Sequence, residues 1–300
     1  MENRPVGIIC HGGVGKIEEK AEYAAGLKTA IEEGYRLLLQ GAGALEAVIK
    51  AVVIMEDDPI FNAGIGSSLT LDGHVEMDAA VMTQDGRFGG VCCISGVKNP
   101  ILVAEKVMGY TDHLLLAGSG AVDFARRMGF PEYQIITERA RARWEKVKKE
   151  GSAYFPKLNQ RMGAEEHKTG TVGAVAIDRN GHLAAATSSG GIVGRLKGRI
   201  GDSAILGAGI YAAAYGAVSC TGHGEEIMRI LLAKDIVDRM KTMPASTALI
   251  LALAEAKRKK IVCGAIGFDA RGGICYGHTA YDLAYGYKVA NRLFMFNNSK

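Results

Sequence analysis

A buried strand with a threonine at its head organises this chain, and it reads Gly170-Thr171-Val172-Gly173-Ala174-Val175-Ala176-Ile177-Asp178. The run after Thr171 is apolar and mixes β-branched with small residues, and turn residues follow it at positions 178–181. An apolar run of this length, bounded by turn residues, predicts a strand that is covered on both faces.

The bond between Gly170 and Thr171 lies where a polar loop enters this strand. A Gly–Thr bond at such a junction is where an N-terminal-nucleophile hydrolase cuts its own chain. Thr171 would then become a new N-terminus, with its hydroxyl as nucleophile and its freed α-amine as base. We therefore predict self-cleavage at this bond.

The segment that leads to the bond, residues 151–170, is polar and shows little periodicity. Loops of this length in compact domains are usually functional or disordered. We predict a mobile linker that bends the scissile bond into reactive geometry and then moves away. An ordinary mobile insertion has the same composition, so this alternative stays open.

The strand predicted over residues 183–187 forms a hairpin with the Thr171 strand, and Ser189 lies just beyond it. Paired strands set their side chains next to each other. The Ser189 hydroxyl is therefore within reach of Thr171. Serine-rich turns are common, so this pattern carries little weight alone.

The glycine-flanked loop at 194–203 places Arg199 and Asp202 three residues apart. A guanidinium can bind a carboxylate bidentately, and a carboxylate can accept an ammonium. The pair is suited to the α-carboxylate and α-amine of an amino acid. A local ion pair at the surface is the alternative.

A second strand-to-turn corner, before a predicted helix, contains Thr221 and Gly222. Backbone N–H groups at such a corner can stabilise an oxyanion. His223 follows directly, and a single histidine near a helix start is more often a structural residue than a base. Asn62, in a glycine-rich loop, is a candidate to direct its amide at a reacting carbonyl, and a solvated turn is the alternative.

The motif at residues 11–16, His-Gly-Gly-Val-Gly-Lys, resembles a phosphate-binding loop only superficially. Position 10 is Cys10 where a glycine is needed, and position 17 is Ile17 where serine or threonine is needed. We predict a tight turn near the active centre instead. Asp78, inside a buried strand pattern, is either a structural carboxylate or part of a site, and the pattern favours the structural interpretation.

Apolar periodicity predicts the remaining elements. Helices are expected over residues 17–40, 44–55, 100–108, 120–128, 131–149, 225–241 and 245–259. Further strands are expected over 6–10, 75–82, 88–95, 114–116, 261–268, 273–279 and 284–289.

Composition places the chain among ordinary globular proteins. It has 300 residues, 48% of them hydrophobic, and a net charge of +4, which gives no reason to expect nucleic acid or a membrane as a partner. The six cysteines lack metal-ligand spacing, and the N-terminus has no signal-peptide pattern. We therefore expect a cytoplasmic protein with buried thiols.

Taken together, the motifs resemble those of the plant-type L-asparaginase / isoaspartyl peptidase family of Ntn-hydrolases. The resemblance covers nearly the whole chain in order, through the segments 11–13, 61–66, 77–80, 170–175, 190–191, 198–203 and 221–225. Several motifs matching together are far more specific than any one alone.

The resemblance implies a single α+β domain over residues 1–300, a four-layer αββα sandwich. It implies autocleavage into an α chain, 1–170, and a β chain, 171–300, and a homodimer of such units. Thr171 matches the nucleophile and Asn62 a residue placed against its amine. Arg199 and Asp202 match the substrate anchor, and Thr221 and Gly222 match the oxyanion hole and also contact substrate.

The resemblance implies no organic cofactor but a structural sodium ion in many members, held mainly by main-chain carbonyls. The matching loop contributes Met55, Glu56, Asp58, Phe61, Ala63 and Ile65. One departure is Ser189, where the family usually has threonine. Serine keeps the hydroxyl but loses the methyl group that restricts χ1. We expect the supporting role to survive, and slower cleavage or turnover is the alternative. The segment 192–197 also differs, which leaves the substrate side-chain preference open.

The implied function is hydrolysis of L-asparagine and β-aspartyl dipeptides through a covalent acyl-enzyme, with release of L-aspartate. The rivals are a protein-cleaving threonine aspartase and an uncleaved, non-catalytic binding protein of the same fold. A lysosomal glycosylasparaginase is disfavoured by the missing signal peptide, and a P-loop nucleotide binder is a more distant alternative.

Overall fold

The computed structural model describes residues 6–134, 136–150 and 170–298, which form two β-sheets stacked face to face with helices on both outer sides. This is the αββα sandwich that the family resemblance implied. The interior between the sheets is apolar, and each outer sheet face packs against helices through a separate apolar cluster.

The larger sheet has eight strands in the described chain, in the order β12-β11-β1-β5-β6-β2-β3-β4. All neighbours are antiparallel except β3 and β4. The strands are β1 (Gly7–Gly15), β2 (Met77–Thr83), β3 (Phe88–Ile94), β4 (Leu115–Ala117), β5 (Val172–Ile177), β6 (Leu183–Ser189), β11 (Asp282–Val289) and β12 (Arg292–Met295).

The smaller sheet has four antiparallel strands in the order β10-β9-β8-β7. They are β7 (Ile210–Ala213), β8 (Gly216–Gly222), β9 (Cys263–Asp269) and β10 (Ile274–His278). Its inner face packs on β1, β5 and β6, and the end of β8 lies beside the start of β5.

Helices cover the two outer faces. The larger sheet carries α1 (Lys20–Leu39), α2 (Ala44–Asp57), α3 (Pro100–Tyr110) and α4 (Gly118–Arg127). The smaller sheet carries α7 (Leu232–Arg239) and α8 (Ala245–Arg258). Two further helices, α5 (Glu138–Glu150) and α6 (Gly224–Ile230), lie beside the loops that surround the candidate site.

Three differences from the predicted elements have clear physical causes. Strand β1 runs through the glycine motif to Gly15 instead of turning, with a register shift between His11 and Gly13 and a φ of 113° at Gly13. The helix predicted over 225–241 is two helices, because Leu231 adopts a left-handed conformation with φ of 47°. Strands β7 and β12 are only four residues long and were too short to predict.

The six cysteines are free thiols, and all but the half-buried Cys93 are buried, as expected. Within the described residues, no helix is both long enough and apolar enough to cross a membrane. The mobile linker predicted over 151–170 lies outside the described residues except for Gly170.

Candidate active site

Thr171 and Ser189 meet at the head of the hairpin formed by β5 and β6. The register pairs Val172 with Ser188, which sets the two hydroxyl residues side by side at the ends of their strands. The Thr171 hydroxyl donates to Ser189 Oγ over 3.1 Å, and both residues are buried. Ser189 Oγ also accepts the N–H of Gly191 at 3.0 Å, which fixes the serine rotamer. The Thr171 oxygen is thereby oriented.

Asn62 lies behind the turn that follows β6. Its Nδ2 donates to the carbonyl of Gly191 at 2.7 Å, and its Oδ1 accepts the N–H of Ser68 at 2.8 Å. Its main-chain carbonyl accepts the N–H of Gly190 at 2.8 Å. A Cβ on Gly170 would lie 3.1 Å from the Asn62 Cβ, so Asn62 also borders the predicted scissile bond.

Arg199 is paired with Glu225, a partner that the sequence did not indicate. Its Nε and Nη2 donate to the two Glu225 oxygens at 2.8 and 2.7 Å. Burial acts to lower the pKa of Arg199, but the hydrogen bonds and charge of Glu225 outweigh it, so the pKa is raised. Arg199 is therefore in an ion pair, but with Glu225 on α6 and not with Asp202 in its own loop, so the alternative of a local surface pair is wrong.

Asp202 is buried, and its Oδ2 has no hydrogen-bond partner among the described residues. Burial raises the pKa of Asp202 to about 7, although the charge of Arg199 opposes the shift. A buried carboxylate oxygen without a partner is costly. A cationic group placed next to it would therefore be bound favourably.

Thr221 and Gly222 end strand β8 opposite Gly264 and Cys263. Thr221 Oγ1 is buried, and no described residue hydrogen-bonds to it. Gly222 has φ of 143°, and a Cβ there would lie 2.3 Å from the carbonyl oxygen of Val262. Only glycine fits this corner, which explains its place in the motif.

These residues surround one small cleft. Its lining includes Gly170, Thr171, Ser189, Gly191, Arg199, Asp202 and Gly222. Asn62 and Thr221 lie just behind this lining. His223 is at the start of α6 with its Nδ1 3.7 Å from Glu225, a contact that fits the structural interpretation.

A buried polar network under β5 was missed at the sequence level. His11 Nε2 lies 2.8 Å from Ser219 Oγ, and this hydroxyl lies 3.0 Å from Thr187 Oγ1. A Cβ on Gly173 would lie 1.9 Å from the Ser219 oxygen, so the network directly underlies the residues after Thr171. Burial lowers the pKa of His11 to about 3, although the Thr171 carbonyl acts in the other direction, so the ring is neutral. The sequence did contain a signal for this network, because His11, Thr187 and Ser219 are polar residues in otherwise apolar strands.

A second missed residue is Arg195, whose guanidinium is fully buried. Its Nη1 donates to the carbonyls of Ser68 and Ile192 at 3.2 and 3.1 Å. A Cβ on Gly191 would lie 2.6 Å from its Nε, so Arg195 packs against the turn after β6. Burial lowers the pKa of Arg195 to about 10, which leaves it cationic at neutral pH.

The chain is similar to known proteins over most of its length. Residues 3–296 match the family described as asparaginase. The chain is 44% identical over 295 residues to the plant-type L-asparaginase of Pyrococcus horikoshii, covering 94% of this chain and 96% of the relative. It is 47% identical over 247 residues to the isoaspartyl peptidase/L-asparaginase of Xenopus laevis, covering 79% and 76%. For the Homo sapiens protein of that name, the identity is 42% over 265 residues, covering 85% and 84%.

The αββα sandwich with a threonine at the head of a central strand defines the class of the Ntn-hydrolases. Within that class, this chain belongs to the plant-type L-asparaginase / isoaspartyl peptidase family.

Proposed function

We propose that this protein cuts itself between Gly170 and Thr171 and then hydrolyses L-asparagine and β-aspartyl dipeptides to release L-aspartate. The observation that carries the proposal is the Thr171 hydroxyl, held by Ser189 at 3.1 Å in a cleft that also contains Arg199 and Asp202. The cleft thus combines an oriented nucleophile with groups that suit an amino-acid head group.

The self-cleavage begins with attack of the Thr171 oxygen on the carbonyl carbon of Gly170. The C–N bond breaks, the nitrogen gains a proton, and an ester links Gly170 to the threonine oxygen. Water then hydrolyses this ester, which leaves a free carboxylate on Gly170 and a free amine on Thr171. The hydrogen bond to Ser189 supports this step because it orients the attacking oxygen.

In the mature enzyme the α-amine of Thr171 takes the proton of its own hydroxyl. A free α-amine has a pKa of about 7.7–8.0, which suits a general base at neutral pH. The hydroxyl attacks the side-chain amide of the substrate, and Thr221 Oγ1 with the Gly222 N–H stabilises the oxyanion. Ammonia or an amino acid leaves, and water releases L-aspartate from the acyl-enzyme.

The substrate head group would be bound by Arg199 and Asp202. Glu225 occupies Nε and Nη2 of Arg199, which leaves Nη1 for the α-carboxylate. The unpartnered Oδ2 of Asp202 would accept the α-ammonium. That positive charge would also stabilise the ionised form of Asp202, whose pKa is about 7 without substrate.

A sodium ion would be held by the loop that follows α2. A Cβ on Gly64 would lie 2.3 Å from the Glu56 carbonyl, and one on Gly66 would lie 2.0 Å from the Phe61 carbonyl. Both contacts are with main-chain oxygens, the ligand type that hard cations prefer. Of the predicted ligands, Glu56 and Phe61 are the two whose carbonyls lie against these glycines. The ion would brace the loop that carries Asn62 and would take no part in the chemistry.

The test is intact mass on freshly purified protein and again after long incubation, followed by aspartate release from L-asparagine and from a β-aspartyl dipeptide. Two pieces that meet at Gly170 and Thr171, together with hydrolysis, are expected. Thr171→Ala should abolish both. An uncleaved Thr171→Ala protein with full activity would refute the proposal, and a stable, inactive wild-type chain would favour a non-catalytic binding role. Sedimentation of the same samples tests the proposed homodimer.

A further inference from the structure

Two acidic side chains at the start of β2, Glu76 and Asp78, contact the loop that carries Arg199 and Asp202. Both are buried, with exposed fractions of 8% and 4%. Buried carboxylates need hydrogen-bond donors, and here main-chain N–H groups supply them.

Asp78 joins three parts of the site. Its Oδ1 accepts the N–H of Cys93 at 2.8 Å, and its Oδ2 accepts the N–H of Gly201 at 3.1 Å. Gly201 directly precedes Asp202. In the sheet, Asp78 lies opposite Ser189, so β2 connects the support of the nucleophile with the loop.

Glu76 holds the same loop on the other side of Arg199. Its Oε2 accepts the N–H of Gly198 at 2.8 Å, and Gly198 directly precedes Arg199. The main-chain carbonyl of Glu76 accepts a hydrogen bond from Arg195, at the start of the loop. Cys93 Sγ also lies 3.7 Å from the carbonyl of Arg199. The loop is thus fastened immediately before and shortly after Arg199.

Glycine at 201 matters for the same geometry. A Cβ there would lie 2.7 Å from Nη1 of Arg199, the nitrogen that Glu225 leaves unused. The N–H that Asp78 holds therefore belongs to the residue against which the free end of the guanidinium packs. A shift of the Gly201 backbone would move that nitrogen.

We propose that Glu76 and Asp78 are positioning residues that hold the loop 198–202 so that Arg199 can bind the α-carboxylate of the substrate. They determine the affinity for the α-carboxylate of the substrate and not the reactivity of Thr171. This inference rests on the proposed function, because it assumes that Arg199 binds the substrate.

The decisive variant is Asp78→Asn, which keeps one acceptor oxygen where two N–H groups need one each. The probes are L-aspartate and β-alanine as competitive inhibitors, because β-alanine is L-aspartate without its α-carboxylate. We expect the inhibition constant of L-aspartate to rise about tenfold, the effect of losing about 1.4 kcal/mol. The constant for β-alanine, the kcat for L-asparagine and the extent of cleavage should stay within about twofold, since β-alanine makes no contact with Arg199.

Asp269→Asn is the matched control. Asp269 is also buried and accepts three main-chain N–H groups, from Ala245, Arg271 and Gly273. It lies opposite Gly216, at the far end of β8 from the cleft. The Asp269→Asn variant should have a lower melting temperature, and the inhibition constants of L-aspartate and β-alanine should not change. If Asp78→Asn does not fold, Glu76→Met removes the Gly198 contact, and the same selective loss is expected.

The inference is overturned if Asp78→Asn and Glu76→Met leave L-aspartate inhibition unchanged, or if both inhibitors weaken equally. A fall in kcat at constant L-aspartate affinity would also overturn it, by placing the effect at Thr171. Failure of the proposed function gives a different result, because the wild-type protein would then not hydrolyse L-asparagine and no inhibition constant could be measured.

Discussion

Replacement of Ser189 by alanine should slow both self-cleavage and turnover between about tenfold and a hundredfold. The serine oxygen accepts two hydrogen bonds, from the Thr171 hydroxyl at 3.1 Å and from the Gly191 N–H at 3.0 Å. Loss of the hydrogen bond from Thr171 removes about 1 kcal/mol of stabilisation. The buried Gly191 N–H, left without a partner, costs about 1–3 kcal/mol more.

These losses convert to rate through the factor of ten for each 1.36 kcal/mol or so of barrier. A combined loss of about 3 kcal/mol would slow the reaction roughly a hundredfold if all of it raised the energy of the transition state. Part of it destabilises the resting protein instead, which sets the lower end near tenfold. The assay is the half-time of chain cleavage by intact mass, together with kcat for L-asparagine.

Ser189→Thr is the matched comparison because it restores the hydroxyl and adds the methyl group that restricts χ1. It should cleave at least as fast as the wild-type chain. Cleavage and turnover at wild-type rates in a folded Ser189→Ala protein would refute the reasoning, since the Thr171 oxygen would then need no orientation by this contact.

Three further predictions concern ionisation and backbone geometry. The KM for L-asparagine should rise as pH falls below about 7, because burial raises the pKa of Asp202 and its carboxylate must be ionised to accept the substrate ammonium. In steady-state kinetics, Asp202→Asn should remove this pH dependence of KM. Burial raises the pKa of Glu56 to about 8, above its unfolded value of 4.5, so the folded protein retains a proton that the unfolded chain releases. Stability should therefore fall as pH rises between these values, and Glu56→Gln should raise the melting temperature at pH 8.5 by roughly 2–4 °C, with no gain at pH 4 where both states are protonated. Gly222→Ala should lower kcat by about tenfold or more, because its Cβ would lie 2.3 Å from the Val262 carbonyl and displace the oxyanion donor; unchanged kinetics in a folded variant would contradict this.

The family resemblance implied the fold class, and the sequence predicted most elements because the apolar periodicity is strong and the glycine-rich turns separate the elements clearly. It also predicted that the Ser189 hydroxyl reaches Thr171, since hairpin register is set by local pairing. The pairing of Arg199 with Glu225 depends on how α6 packs against a distant loop, so no local pattern contained it.

The buried polar residues were predicted least well. Arg195 was assigned no role, yet it is one of the most deeply buried large side chains in the described chain. His11 and Ser219 are 208 residues apart, and their contact exists only because β1 and β8 belong to stacked sheets. Sequence analysis detects polar residues in apolar runs but does not reveal which of them face each other.

The strand order of the larger sheet has a consequence for the matured protein. Strands from before and after residue 170 are interleaved, so β1 is enclosed by β11 and β5, and β2 pairs with β6. A cut at Gly170 would therefore yield two polypeptides that share three strand–strand pairings, β1 with β11, β1 with β5 and β2 with β6. They could separate only by unfolding, so renaturation from the denatured pieces would become a bimolecular, concentration-dependent reaction, whereas the uncut chain refolds alone. The peptide bond between Gly170 and Thr171 would be required only while the chain first folds. After the cut, the hydrogen-bonded sheet would hold the two pieces together.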